Sequence, residues 1–298
     1  MTGHATGGRS RPEPPPAAVF EDVIRRALAE DLGTAGDLST TASIGAEVRA
    51  SGRVVARQPG CIAGIGAAAL VVERVAGGVA GSAVDVSVEV ADGDRVEAGT
   101  TLLSVTGSAR TILTAERTAL NLLGHLSGIA TATAAAVDVV VATDARIADT
   151  RKTTPGLRAV EKYAVRCGGG SNHRLGLHDA VMLKDNHLAA AGSITAAVRA
   201  ARDRVGHTVT ITVEVDRLEQ LGEVLDAGAD IVLLDNMDPP MLRSAVEQVD
   251  GRAITEASGG ITLETVQQVA ATGVDVISLG WLTHSAPRLD VALDLDDA

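Results

Sequence analysis

Aromatic side chains are almost missing from this chain: 298 residues contain one Phe (Phe20), one Tyr (Tyr163) and one Trp (Trp281). That poverty counts against a surface that stacks the bases of single-stranded nucleic acid. Apolar residues still make up 46%, so the core must come from Val, Leu, Ile and Ala, which suits a buried parallel sheet under helices. Cysteine is as scarce. Cys61 and Cys167 provide neither a disulfide framework nor a paired metal-ligand spacing. No apolar run reads as the roughly 20 residues of a membrane span. Met1 to Pro16 is rich in Gly, Pro and Arg and has no apolar stretch of signal-peptide type. Residues 1–17 are expected to form a disordered tail, and a cytoplasmic location is expected by elimination. The net charge of −12 argues against non-specific binding to nucleic acid or anionic membrane, so neither is an expected partner.

Lysine is the scarcest charged residue. Against 23 arginines stand Lys152, Lys162 and Lys184, all within 33 residues. A chain that prefers Arg this strongly is expected to keep Lys where a compact, mobile ammonium is needed. The window Arg151–Lys184 holds seven basic residues (those three lysines with Arg151, Arg158, Arg166 and Arg174) against Glu161 and Asp179 alone. It also carries His173, His178 and Gly168-Gly-Gly170. A positive patch in an acidic protein focuses anions, arginines grip carboxylate or phosphate bidentately, and glycines let backbone N–H groups come close.

Val19, Phe20, Val23, Ile24, Ala27 and Leu28 recur at helical spacing and predict a first helix, ended by Asp31-Leu-Gly-Thr-Ala-Gly-Asp37. Val48–Ala56 reads as a strand and Ile65–Val75 as a helix. Val84–Val90 and Thr101–Val105 flank Asp92-Gly-Asp-Arg-Val-Glu-Ala-Gly99, a hairpin-like β unit that resembles the hammerhead of lipoyl and biotinyl carriers. No lysine precedes Lys152, so a carrier function is excluded. Thr111–Ala136 predicts one or two helices, broken near Ser127-Gly128.

From Ala145 the rhythm changes. Short apolar runs end on polar or glycine residues: Ala145–Asp149, Ala180–Lys184, Val209–Glu214, Ile231–Asp235, Ala253–Glu256 and Val274–Gly280. Helical patterns separate several of them, at Ile194–Val205, Leu218–Ala227, Pro240–Val249 and Leu263–Ala271. Strand alternating with helix implies βαβ units. Six such strands without a Gly-x-Gly-x-x-Gly loop favour a barrel over an open nucleotide-binding sheet. The fold expected is α/β: an N-terminal α/β domain with hammerhead-like β structure over residues 18–128, joined by 286–298, then an incomplete β/α-barrel over 129–285.

In such a barrel the active site lies at the C-terminal strand ends. Those ends collect Arg151, Lys152, Lys184, Glu214, Asp235, Ser258, Gly259, Gly260 and Gly280. Charges directly after runs such as Val-Leu-Leu are costly if buried without partners, and six strands ending this way argue for a shared site. Glu214 and Asp235 suit a hard cation such as Mg²⁺, or sugar hydroxyls. Ser258-Gly259-Gly260 and Gly280, at the last two strands, match a barrel phosphate cradle. Phosphates, a hydroxyl or cation site and a carboxylate clamp describe a phosphorylated sugar together with an organic acid.

Thr150-Arg-Lys-Thr-Thr-Pro-Gly156, Lys162-Tyr-Ala-Val, Gly168-Gly-Gly-Ser-Asn-His-Arg174, Lys184-Asp-Asn-His187, Val213-Glu-Val, Leu234-Asp-Asn236 and Ser258-Gly-Gly260 resemble the quinolinate phosphoribosyltransferases, as do Glu116-Arg-Thr-Ala-Leu-Asn121 and Ser127-Gly-Ile-Ala-Thr131. The resemblance runs from about Phe20 to near the C-terminus. It implies a homodimer that transfers phosphoribose from phosphoribosyl pyrophosphate to quinolinate with loss of CO₂, giving nicotinate mononucleotide for NAD synthesis. It also implies roles. Arg151, His173, Arg174 and Lys184 clamp the two carboxylates, and Arg117 enters from the neighbouring subunit. Thr150 belongs to the substrate-binding set. Lys152, Glu214 and Asp235 handle phosphoribosyl pyrophosphate and Mg²⁺, the latter directly or indirectly, with Lys152, Lys184, Glu214 and Asp235 as the catalytic group. Ser258, Gly259, Gly260 and Gly280 hold the 5-phosphate. Cys167 and Trp281 receive no role, and His125 and His284 read as structural. Two other readings compete: a sister phosphoribosyltransferase for a monocarboxylate, and a non-catalytic sensor of phosphorylated ligands.

Overall fold

The computed structural model describes residues 11–77 and 82–296. The chain divides into two compact units, Met1–Thr131 with Ala159–Gly168 and Pro287–Ala298, and Ala132–Arg158 with Gly169–Ala286.

In the first unit, helix α1 (Ala17–Leu32) buries Val23 and Ile24. The expected tail lies outside the described residues up to position 10. Beyond it Arg11 pairs with Asp94 at 2.8 Å and the Glu13 carbonyl accepts from Arg166, so residues 11–16 are held by contacts rather than loose. Helix α2 (Leu38–Ser43) is N-capped by Asp37, which accepts the Thr40 N–H at 2.9 Å. There follow β1 (Arg49–Ala56), β2 (Gly60–Cys61), α3 (Ile65–Ala76), β3 (Val84–Val88), β4 (Arg95–Val96), β5 (Thr101–Ser108) and α4 (Ala109–Val140). With β12 (Val291–Leu295) they form an antiparallel sheet in the order β12-β1-β5-β3, beside the small pair β2-β4. Asp92 decides where α3 begins. It accepts the Ile65 N–H at 2.9 Å and the Tyr163 hydroxyl at 2.8 Å, and Tyr163 belongs to α5 (Arg158–Cys167). Burial and the Asp92 charge hold that hydroxyl protonated, far above its usual range.

Helix α4 is unbroken, contrary to the expected interruption at Ser127-Gly128. Ser127 Oγ accepts the Ala63 N–H at 3.1 Å, and a Cβ on Gly128 would lie 2.2 Å from the Pro287 carbonyl oxygen. One turn earlier, a Cβ on Gly124 would lie 2.9 Å from the Leu289 carbonyl oxygen. The glycines therefore form a groove for the returning chain, not a break. By length and composition alone α4 could cross a membrane, contrary to the expectation that no apolar run is long enough. Its most apolar window is 61% buried within the protein, as in a core helix.

The second unit is the β/α half. Its strands are β6 (Arg146–Ala148), β7 (Val181–Leu183), β8 (Ile211–Val215), β9 (Ile231–Asp235), β10 (Ile254–Ser258) and β11 (Val276–Ser278). Helices α6 (Asp185–Ala191), α7 (Ile194–Arg202), α8 (Leu221–Asp226), α9 (Pro239–Val249), α10 (Val266–Ala270) and α11 (Trp281–His284) follow or separate them. All pairings are parallel, in the order β6-β11-β10-β9-β8-β7. The edge strands β6 and β7 are not paired with each other, so the barrel is incomplete. Ser171 bridges to Ala148 beside β6. Ile211, Val213, Val232 and Leu234 are wholly buried, the branched aliphatic filling that the composition requires.

Candidate active site

Register sets the layers of the site within the second unit. Leu183 pairs with Val213, while Leu233 lies opposite both Glu214 and Glu256. Lys184, Glu214 and Glu256 therefore share one level. Asp235 pairs with Ser258, two residues further along, so strand alternation gives Glu214 and Asp235 the same face. Lys184 Nζ and Glu214 Oε2 form an ion pair. Asp235 accepts from Asn236 Nδ2 at 2.7 Å.

Fully buried Asp149 organises the segment beside β6. It accepts Asn172 Nδ2 at 2.6 Å and the His173 N–H at 2.8 Å. The Arg174 N–H donates to His173 Nδ1 at 2.6 Å, which assigns the ring proton to Nε2. That nitrogen lies 3.4 Å from Glu256 Oε2. Glu256 is buried and its Oε1 has no hydrogen-bond partner. It was not among the expected site residues, because its run reads as an ordinary strand with one acid at its end.

Arg151 and Arg174 form an anion site. Burial lowers the Arg174 pKa first, and the neighbouring Arg151 charge lowers it further, with Asp179 opposing. The Nε of each is buried without a hydrogen-bond partner. Two adjacent cations with unused N–H groups repel each other until an anion joins them. The Arg174 guanidinium also donates to the Ala180 carbonyl at 3.2 Å. Burial pushes the Asp179 carboxyl up, but the N–H groups of Leu175 (2.6 Å) and Gly176 (2.9 Å) outweigh this and leave it below the carboxylate range.

The segments after β10 and β11 form a backbone cradle. Gly259 (φ 92°) and Gly260 (φ 62°) are left-handed, and a Cβ on Gly259 would lie 2.3 Å from Asn236 Oδ1. Trp281 finds its role here, its indole N–H closing the loop onto the Ile261 carbonyl at 3.0 Å. The Lys152 N–H donates to Thr150 Oγ1 at 3.0 Å, and the Lys152 carbonyl accepts from Thr283 Oγ1 at 2.8 Å. A Cβ on Gly280 would stand 3.0 Å from Lys152 Cδ and 3.3 Å from His284 Nε2. His284 is exposed, so it borders the Lys152–Gly280 site instead of packing in the core.

Other expected cations belong to the first unit. Lys162 is 2% exposed in the first unit, and Arg166 lies 5.5 Å from the Tyr163 ring centroid. Arg117, on α4 in the first unit, is 66% exposed with Glu116 3.7 Å away. Gly168-Gly-Gly170 ends α5: the Gly168 N–H donates to Ala164 O, and Gly169 is left-handed (φ 87°). That run serves as a helix terminus.

A parallel β/α unit whose strand ends carry paired guanidiniums, a lysine–glutamate pair and a glycine cradle defines a barrel protein for ligands with several anionic groups. Residues 37–127 and 129–294 match the sequence models of the N-terminal and C-terminal domains of quinolinate phosphoribosyl transferase. The chain is 50% identical over 277 residues to the nicotinate-nucleotide pyrophosphorylase (carboxylating) of Mycobacterium leprae, covering 92% of this chain and 96% of that one. It is 46% identical over 280 residues to a probable nicotinate-nucleotide pyrophosphorylase (carboxylating) of Bacillus subtilis, covering 93% of each. The solved nicotinate-nucleotide pyrophosphorylase of Francisella tularensis superposes with a TM-score of 0.90 at 34% identity, over 97% of this chain and all of that one. The chain belongs to the quinolinate phosphoribosyltransferase family.

Proposed function

We propose that this chain transfers the phosphoribosyl group of phosphoribosyl pyrophosphate to quinolinate, giving nicotinate mononucleotide, pyrophosphate and CO₂ for NAD synthesis. The observation that carries this reading is the Arg151–Arg174 pair, with buried and unpartnered Nε–H groups, in the same β/α unit as a glycine cradle. Arg151, Arg174 and Lys184 receive the two carboxylates, and His173 borders them. Gly259, Gly260 and Gly280 let phosphate oxygens approach the backbone, with Ser258 and Lys152 alongside. Three cations around an acid suit a dicarboxylate better than the monocarboxylate of a sister enzyme.

The pyridine nitrogen donates its lone pair to the anomeric carbon as the C–O bond to pyrophosphate breaks and its electron pair leaves with pyrophosphate. Positioning and charge stabilisation supply most of the acceleration. The quaternary ring nitrogen then stabilises the electron pair left when the adjacent carboxylate departs as CO₂, and a proton from water fills that carbon. No protein nucleophile is needed.

Among the described residues no group of three or more His, Cys, Asp or Glu could hold a metal ion. Glu214 and Asp235, two carboxylates on one face, fit Mg²⁺ of the kind that completes its shell with water and substrate phosphate oxygens. When bound, the cation supplies charge neutralisation to the leaving pyrophosphate. A homodimer, with the partner subunit's Arg117 completing each site, and a cytoplasmic location complete the reading.

Incubation with quinolinate, phosphoribosyl pyrophosphate and Mg²⁺ should release CO₂ and nicotinate mononucleotide in equal amounts. Turnover of nicotinate but not quinolinate would favour the sister enzyme, and tight binding without product a sensor. Excess chelator should abolish turnover; full activity in chelator would remove Glu214 and Asp235 from any metal role.

A further inference from the structure

Arg158 stands at the start of α5 and, among the described residues, makes three hydrogen bonds, none to a carboxylate. Its Nε donates to Thr153 Oγ1 at 3.0 Å, Nη1 to the Leu175 carbonyl at 3.1 Å and Nη2 to the Arg151 carbonyl at 3.4 Å. Thr153 and Arg151 belong to the loop after β6, whereas Leu175 directly follows Arg174. One rigid guanidinium thus ties together the two segments that carry the paired cations. The geometry matters because those cations repel: the charge of Arg151 is one of the causes that lower the Arg174 pKa. Asp179 folds the 175–179 turn onto itself through Leu175 and Gly176, so it shapes one segment without joining the two.

We propose that Arg158 is a positioning residue, a staple that sets the separation of Arg151 and Arg174 and so prepares the carboxylate site before the acid arrives. The inference rests on the assignment of quinolinate to this pair. A planar fork with donors in fixed directions can span three acceptors, whereas a lysine ammonium of similar charge cannot. Preorganisation of this kind appears as affinity for the ligand it serves. Because Arg158 acts through its bonds to Thr153, Leu175 and Arg151, retaining its charge as Lys should not restore binding.

The test is calorimetry on the full-length protein, with quinolinate and phosphoribosyl pyrophosphate titrated separately into wild type, Arg158→Lys, Arg158→Ala and Thr153→Val. Both Arg158 variants should weaken quinolinate binding about tenfold, the scale of one or two net hydrogen bonds, and leave phosphoribosyl pyrophosphate within about twofold. Thr153→Val, which removes a single acceptor and tests the staple should Arg158→Ala fail to fold, should weaken quinolinate about threefold. The combined Arg158→Lys/Arg174→Ala protein should lose less quinolinate affinity than the sum of the two single losses, since the staple acts in part through Arg174. Additive losses, rescue by Lys, or equal loss of both ligands would overturn the staple. Failure of the wild-type protein to bind quinolinate at all would instead overturn the substrate assignment on which it rests.

Discussion

Removing the Arg174 guanidinium takes away one of two adjacent cations whose Nε–H groups have no protein partner, together with one bond to the Ala180 carbonyl, so the loss of ligand affinity should fall chiefly on the carboxylate. Arg174→Ala is expected to weaken quinolinate binding by about 1.5–3 kcal/mol, the range for hydrogen bonds to charged groups, with a much smaller change for phosphoribosyl pyrophosphate. Lys184→Ala should behave differently. Lys184 is the counter-ion of Glu214, whose side chain is 17% exposed, and the carboxylate left behind would repel incoming phosphates. Both ligands should therefore bind less tightly to Lys184→Ala, as separate titrations can show; a loss confined to quinolinate would mean that Glu214 does not reach the phosphoribosyl side. The cysteines carry a simpler expectation. Burial pushes the Cys167 thiol up to about 12, and Cys61 is equally enclosed. Neither should react with a thiol reagent at pH 8 in the folded protein, and both should react in denaturant.

At the scale of elements, glycines carry the information that was hardest to read from sequence. Strands ending in charged residues located the site, because alternation and parallel pairing leave little freedom in where Glu214 and Asp235 can point. Ser127-Gly128, by contrast, looked like a helix end. A glycine that ends a helix and one that admits a neighbouring backbone are identical in sequence, and only the returning segment Pro287–Leu289, about 160 residues away, distinguishes them. Glu256 and Trp281 were illegible for the same reason, since their partners His173 and Ile261 are set by tertiary structure. The groove gives a sharp test. Ala is the better helix former by about 1 kcal/mol, yet Gly128→Ala should destabilise, because its Cβ would fall 2.2 Å from a carbonyl oxygen. A net loss of about 1–3 kcal/mol is expected in urea unfolding, the cost typical of overpacking; a gain would show that the returning segment moves aside freely.

At the scale of the whole molecule, Arg117 is an exposed cation on α4 and belongs to the first unit, whereas the other residues of the proposed site belong to the second. The homodimer reading turns this into a stoichiometric prediction. An isologous pair gives each site the same contribution from its neighbour, so damage to Arg117 and damage to Arg174 fall on different sites of a mixed dimer. Arg117→Ala and Arg174→Ala should each be nearly inactive alone. When the two are co-refolded in equal amounts, about half the dimers are mixed, and each mixed dimer has one intact site and one doubly damaged site. Recovered activity should approach about one quarter of wild type, given random pairing and independent sites. Native mass spectrometry supplies the fraction of mixed dimers against which that recovery is scaled. Mixed dimers without recovered activity would assign Arg117 to its own subunit's site or to none, and a chain that stays monomeric while fully active would remove the shared site altogether.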